Sequence, residues 1–111
     1  MSKISLSLTI ADGASLSGFA PFRGASPKAI FVPAGAEGSW ISFKRGENAN
    51  VGYCRGWDGA KLTAAFVPGS WVELDSRDLA GVDTLAVELC SDEAGTAQPQ
   101  TGAIALTVIG A

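Results

Sequence analysis

The stretch that decides the fold is residues 3–10, KISLSLTI. Apolar side chains at every second position alternate with Ser5, Ser7 and Thr9, which is the period of a half-buried β-strand with one apolar and one small polar face. Residues 103–109, AIALTVI, repeat this period near the other end of the chain. Because both strands alternate cleanly, the sequence predicts that they lie close together, as in jelly-roll sandwiches.

Short strand patterns fill the chain between these two, separated by turns rich in Gly, Pro and Asp. One segment, 75–81, has the pattern of a single helical turn with Asp75 or Ser76 as its N-cap and Gly81 as its end. The other predicted strands are 15–19, 29–32, 40–45, 51–55, 61–66, 71–74 and 84–90. Short strands at spacings of about 8–12 residues are typical of an antiparallel sandwich or barrel. We therefore predict an all-β fold, a jelly-roll-like antiparallel β-sandwich of eight or nine short strands, formed by a single domain over residues 1–111.

The alternation also predicts which side chains face the core. The predicted core residues are Ile4, Leu6, Leu8, Ile10, Leu16, Ile30, Val32, Ile41, Phe43, Leu62, Phe66, Val72, Leu74, Leu79, Leu85, Val87, Leu89, Ile104, Leu106 and Val108. The opposite phase carries small residues that form smooth, weakly charged faces, namely Ser5, Ser7, Thr9, Ala86, Ala105 and Thr107. Such faces fit a domain that packs against copies of itself or a host surface, and they also fit an ordinary covered sheet.

Composition restricts the function. The chain has no histidine, which excludes Ser/His and Cys/His catalysis and His-ligated zinc. It has no run of about 20 apolar residues that could span a membrane. Its formal net charge is −3 and its longest basic cluster is Lys44-Arg45, which argues against nucleic acid as a partner. Residues 1–10 lack the continuous apolar run of a signal peptide, so we expect synthesis in the cytosol. These features predict a protein that is not an enzyme and needs no cofactor.

The remaining candidates for chemistry are thiols and carboxylates. Cys54 and Cys90 could form one disulfide, but their spacing does not indicate it, and we expect two reduced thiols. Asp75 and Asp78 are expected to cap the helical turn or to be solvated. A calcium site would draw on loop carboxylates such as Asp58, Asp92 and Glu93, but their spacing matches no calcium-binding loop. We therefore expect no metal site.

The placement of aromatic residues asks for an explanation. Trp40 is opposite in phase to Ile41, and Trp71 is opposite in phase to Val72, so both rings are expected on outer faces. Together with Tyr53 and Trp57 they form the candidate contact residues. Tryptophan on an outer face indicates a surface that stacks on a partner protein, on a sugar ring or under a loop of the same chain.

The sequence resembles small virion proteins that are encoded in the morphogenesis clusters of tailed phages and prophages. TIADGASLSG at 9–18 is similar to their opening TIAxGxSLS. Further segments match in the same order. AIFVPA (29–34) resembles a strand that ends in MPA, and WISF (40–43) resembles a strand written LTF. LD (74–75) followed by LAGV (79–82) resembles the motif LDPxxFAGx, AVELCS (86–91) resembles the strand YLKLRS, and residues 98–108 resemble the closing loop and strand.

The chain departs from this pattern at two places. Ala86, Glu88 and Cys90 replace the Tyr, Lys and Arg of YLKLRS, and residues 55–59 (RGWDG) replace an acidic DDDG run. The resemblance implies a non-enzymatic β-sandwich on the outside of a phage or phage-like virion, foremost a capsid decoration protein and otherwise a head or tail fibre component. Its implied partners are the major capsid protein or another virion protein and further copies of itself, for example in a trimer. The alternative is a carbohydrate-binding sandwich that attaches to a host-surface glycan.

Overall fold

The structure is a computed structural model, and it describes residues 3–75, 77 and 79–111. The described residues form strands but no helix. The strands are β1 (Ile4–Ile10), β2 (Ala20–Pro21), β3 (Pro27–Val32), β4 (Trp40–Glu47), β5 (Asn50–Tyr53), β6 (Thr63–Ala65), β7 (Ser70–Glu73), β8 (Thr84–Cys90) and β9 (Ile104–Gly110). It follows that no described helix is long and apolar enough to cross a membrane.

The strands form two antiparallel sheets that pack face to face. The first sheet has the order β1-β9-β3-β7, and the second has the order β2-β8-β4-β5, with β6 also paired to β4. Strands from opposite ends of the chain pair with each other: β1 with β9, β2 with β8, and β3 with β7. In the middle of the chain, β4 pairs with β5, which follows it directly, and with β6. This wrapping of paired strands into two sheets is a jelly roll. The predicted pairing of the first and last strands is confirmed, with Ile4 opposite Gly110 and Ile10 opposite Ile104.

The core lies between the two inner faces and contains most of the predicted residues. Leu85, Val87 and Leu89 are fully buried, and so are Ile30 and Val108. At the rim, five predicted core residues are only partly buried but still pack against the core: Ile4, Leu6, Leu62, Leu74 and Ile104. The apolar side chains at alternate positions of each strand therefore pack between the two sheets, as the two-residue period predicts.

Two large core residues that alternation does not predict come from segments without strand periodicity. Phe22 is 2% exposed and Val82 is 0% exposed. The amides of Phe22 and Arg23 donate to the carbonyl of Asp83, and the amide of Gly24 donates to the carbonyl of Val82. Backbone pairing between two distant loops therefore holds both side chains in the core, and local pattern does not contain that information.

The predicted strand 15–19 is wrong. The second strand is β2, at Ala20–Pro21, and upstream of it Leu16 forms only an isolated bridge with Glu88. The amide of Val87 donates to the hydroxyl of Ser17 at 2.9 Å instead of to a backbone carbonyl. A serine side chain that takes the place of a backbone acceptor interrupts the ladder. Leu16, predicted in the core, is half-buried beside Glu88 instead.

The outer phase of β8 is covered, which is one of the two possibilities that the sequence leaves open. Ala86, Glu88 and Cys90 alternate away from the core, but they are 0%, 5% and 0% exposed. β4 covers one flank of β8, and the segment around Leu16 covers the other. The Tyr53 side chain reaches over from β5 to Glu88. β8 is therefore a central strand that is paired along both edges, and its side chains from Leu85 to Cys90 are buried on both faces of the sheet.

The predicted helical turn at 75–81 is not found in the described part of that segment, where Arg77 and residues 79–81 lie in turns. The carboxylate of Asp75 accepts hydrogen bonds from the backbone amide and the guanidinium of Arg77. The predicted roles of Ser76 and Asp78 concern residues outside the described part of the chain.

Candidate functional site

The structure does not bring the four candidate contact residues to one surface. Trp40 on β4 and Tyr53 on β5 lie on the outer face of the second sheet, and Trp57 lies in the adjoining loop between β5 and β6. Trp71 lies on β7, in the first sheet, and is 50% exposed. Because the outer faces of a sandwich point in opposite directions, Trp71 belongs to a different surface from Trp40 and Tyr53.

Glu88 is the polar centre of the outer face of the second sheet. Its carboxylate accepts hydrogen bonds from the hydroxyls of Ser15 at 2.9 Å and Tyr53 at 3.0 Å. Both carboxylate oxygens are therefore paired, which is what a 5% exposed carboxylate requires. Two-residue alternation alone does not single out Glu88 as a site residue. The available signal was the nearly continuous apolar run LAVELC at 85–90, which is typical of a strand buried on both faces.

Two lysines lie against the ring of Tyr53. The ammonium of Lys61 is 4.0 Å from the ring centroid, and that of Lys44 is 5.1 Å away. Both distances are within the range of a cation–π interaction. Burial raises the pKa of Tyr53, and its hydrogen bond to the Glu88 carboxylate raises this pKa further. Tyr53 thus stays neutral at physiological pH and acts as a hydrogen-bond donor.

The two cysteines are free thiols on opposite faces of the second sheet. Cys54 packs against the core, whereas Cys90 lies on the outer face, where its thiol contacts the Ser42 hydroxyl at 3.4 Å. Burial raises the pKa of both thiols. The thiolate is the nucleophilic form, so neither thiol is activated at neutral pH.

Trp57 stands at the tip of a tight turn with its side chain fully in solvent, at 109% relative exposure. Arg55 and Lys61 form a bridge at the base of the turn, and the amide of Gly56 donates to the carbonyl of Ala60 at 3.0 Å. Gly59, with φ of +80°, supplies the left-handed conformation that the turn needs. The turn therefore holds the exposed ring on an ordered backbone.

A shallow open groove lies beside this tip, lined by Arg55, Gly56, Trp57, Leu62 and Arg77. The guanidinium of Arg55 donates to the carbonyl of Gly59 at 2.8 Å, so the turn also fixes the direction of this side chain. Arg77 forms an ion pair with Asp75 at 2.9 Å. Tryptophan and arginine are the residues most enriched at the energetic centres of protein interfaces. We call Trp57, Arg55 and Arg77 the Trp57 tip.

The loop carboxylates that a calcium site would use close their own turns. Asp58 accepts the amide of Ala60 at 3.1 Å. Asp92 accepts the amide and the hydroxyl of Thr96 at 2.9 and 2.8 Å, and these bonds lower the pKa of Asp92. Within residues 3–75, 77 and 79–111, no group of three His, Cys, Asp or Glu side chains converges on a point that could hold a metal ion.

Comparisons with known proteins found no family model, no curated protein and no solved structure that matches this chain.

Proposed function

We propose that this protein is a non-enzymatic structural component of a tailed-phage or phage-like particle, most specifically a decoration protein that binds the outer surface of the capsid. The proposal rests on the resemblance of its segments, in order along the chain, to small virion proteins. The observation that carries it furthest is the Trp57 tip, because a fully exposed tryptophan on an ordered turn is placed to enter a pocket of another protein.

The energetics of an exposed indole support a docking role for Trp57. Large apolar side chains gain about 1.5–3 kcal/mol when they are buried, and Trp57 gains none of this in the free domain. The tight turn has already fixed the backbone, so little conformational entropy remains to be lost on binding. We propose that the Trp57 ring is buried against a capsid protein when the domain binds.

The test measures binding to particles that lack the protein, purified from cells in which its gene has been deleted. The wild-type chain should bind saturably, and Trp57→Ala should weaken binding about thirtyfold, which corresponds to about 2 kcal/mol. Val67→Ala is the matched control, because Val67 is also a large exposed apolar residue on a turn, at 68% exposure. This control should bind as the wild type does.

No saturable binding to such particles, or equal binding of the wild type and Trp57→Ala, would contradict the proposal. The second candidate is a carbohydrate-binding module, favoured by the open groove in which the Trp57 ring lies beside two arginines and could stack on a sugar. Retention on a column of host-surface glycan that is lost in Trp57→Ala, without binding to particles, would replace the first function with the second.

A further inference from the structure

The outer face of the first sheet is divided into a small half and an aromatic half. Strand pairing places Ser7, Thr107, Phe31 and Trp71 in one row across β1, β9, β3 and β7. The ring centroids of Phe31 and Trp71 are 5.3 Å apart in an edge-to-face arrangement, and Trp71 remains 50% exposed. In this row, the large side chains therefore lie on β3 and β7, and the small ones on β1 and β9.

The next row on this face has the order Ser5, Ile109, Ala29 and Glu73. Glu73 alternates onto this face from β7. Lys28, the other charged residue in the described strands of this sheet, lies at the register shift between Pro27 and Ala29, where alternation does not assign its side chain to a face. Lys3 directly precedes β1, in phase with Ser5, and therefore lies at the opposite edge of the sheet. Glu73 thus lies on the β7 edge of the face and Lys3 beside its β1 edge.

From this arrangement we infer that two copies of the chain pack through these faces, related by a two-fold axis that runs parallel to the strands between β9 and β3. Rotation about this axis turns the copies face to face and places β7 of one over β1 of the other. Trp71 then lies over Ser7 of the second copy, and Phe31 lies over its Thr107. Each large side chain meets a small one, which is the complementarity that a self-complementary two-fold interface requires.

The same axis also matches the charges. Glu73 of one copy lies over Ser5 of the other, and Lys3 is two residues, about 7 Å, further along that strand. A lysine side chain spans this distance, so the dimer contains two Lys3–Glu73 pairs. A two-fold axis perpendicular to the strands would instead place Trp71 against Trp71 and leave both charges without partners. Shape and charge therefore select the same axis.

The size of the face predicts the strength of the dimer. Four strands about 4.8 Å apart and up to 7 residues long cover about 400 Å² per copy. This is about half the area that each partner contributes to a standard interface, so the association should be weak and reversible. We expect a dimer that forms in the micromolar range, so sedimentation velocity from about 1 to 500 µM should show the transition.

The first experiment blocks the centre of the face in the full chain. Thr107→Arg introduces a long charged side chain where the partner's Phe31 would lie, and it should leave only monomer at about 500 µM. The matched control is Ala65→Arg, because Ala65 is an exposed strand residue of the other sheet, paired with Trp40. The control should dimerise as the wild type does. Thermal unfolding of each variant verifies that it is folded.

The second experiment tests the axis by charge reversal at two exposed residues. Lys3→Glu and Glu73→Lys should each weaken the dimer several-fold at low salt, and the double variant should restore it. A wild type that is monomeric at all concentrations, or a dimer that survives Thr107→Arg, would overturn the inference. If the double variant dimerises more weakly than either single variant, Lys3 and Glu73 do not pair, and the proposed axis is overturned.

Discussion

The hydroxyl of Tyr53 donates a 3.0 Å hydrogen bond to the carboxylate of Glu88, although β4 lies between the strands that carry them. The bond ties β5, at the edge of the second sheet, to the buried strand β8. It also uses one oxygen of a carboxylate that is 5% exposed, while Ser15 pairs with the other. The loss of either partner therefore leaves a polar group unpaired in a place that water does not readily reach.

Tyr53→Phe should lower the free energy of unfolding by about 1–2 kcal/mol, because it removes the donor and leaves the Glu88 oxygen unpaired. Glu88→Gln should cost a similar amount. Since the two residues share one bond, the double variant should cost less than the sum, with a coupling of about 0.5–2 kcal/mol in denaturant unfolding. Tyr53→Phe combined with Ser70→Ala, which changes a residue of the other sheet, should be additive. Additivity of the Tyr53 and Glu88 changes would show that the bond does not contribute to stability.

Leu89→Ala should lower the free energy of unfolding by about 2–5 kcal/mol, because Leu89 is 0% exposed and its truncation leaves a cavity. Val51→Ala is the comparison, since Val51 is 58% exposed on β5, and its effect should stay within about 0.5 kcal/mol. Equal losses in the two variants, measured by urea unfolding, would mean that the core face of β8 is assigned wrongly.

Stability should fall as the pH rises above about 9. Folding raises the pKa of Cys54 and Cys90 from their ordinary value of 9.0 and that of Tyr53 from 10.0. The folded protein then keeps protons that the unfolded chain releases, so its stability is complete below these ordinary values and is lost as the pH rises through the raised ones. Denaturant unfolding between about pH 7 and pH 10.5 measures this slope. The slope should be smaller in Tyr53→Phe, and a flat profile in the wild type would contradict the assignment.

Cys54 and Cys90 should never pair within one folded chain, because one faces the core and the other faces outward across the same sheet. Thiol titration in denaturant should find both thiols with and without prior reductant. In the native protein, Cys90 should react more slowly than Cys54, since Cys90 is buried and Cys54 is only partly so. The single variants Cys54→Ser and Cys90→Ser assign the two rates. Loss of both thiols in the monomer without reductant would mean that a bridge had formed.

Fold class could be predicted from local pattern, whereas the candidate site could be predicted only in part: the sequence names Trp57 but not the two arginines that lie beside it. The predicted strand at 29–32 lies within β3, and the one at 84–90 matches β8 exactly. The strand at 15–19 was wrong because the Ser17 hydroxyl substitutes for a backbone group, which periodicity does not register. Trp40 and Trp71 were predicted on outer faces, but the sequence does not say that these are different faces, because that depends on which sheet each strand joins.

The sequence by itself determined which side of each strand faces the core, because the two-residue alternation of residues 4–10 and 104–108 leaves only one way to bury the apolar side chains. Only the tertiary structure decided that Glu88 is buried and that Phe22 belongs to the core. Glu88 is paired by Tyr53, 35 residues away, and by Ser15, 73 residues away. Phe22 is held by the carbonyl of Asp83. The burial of these two residues depends on contacts between segments that are distant in the sequence, whereas the two-residue period reflects only residues that are close in the sequence.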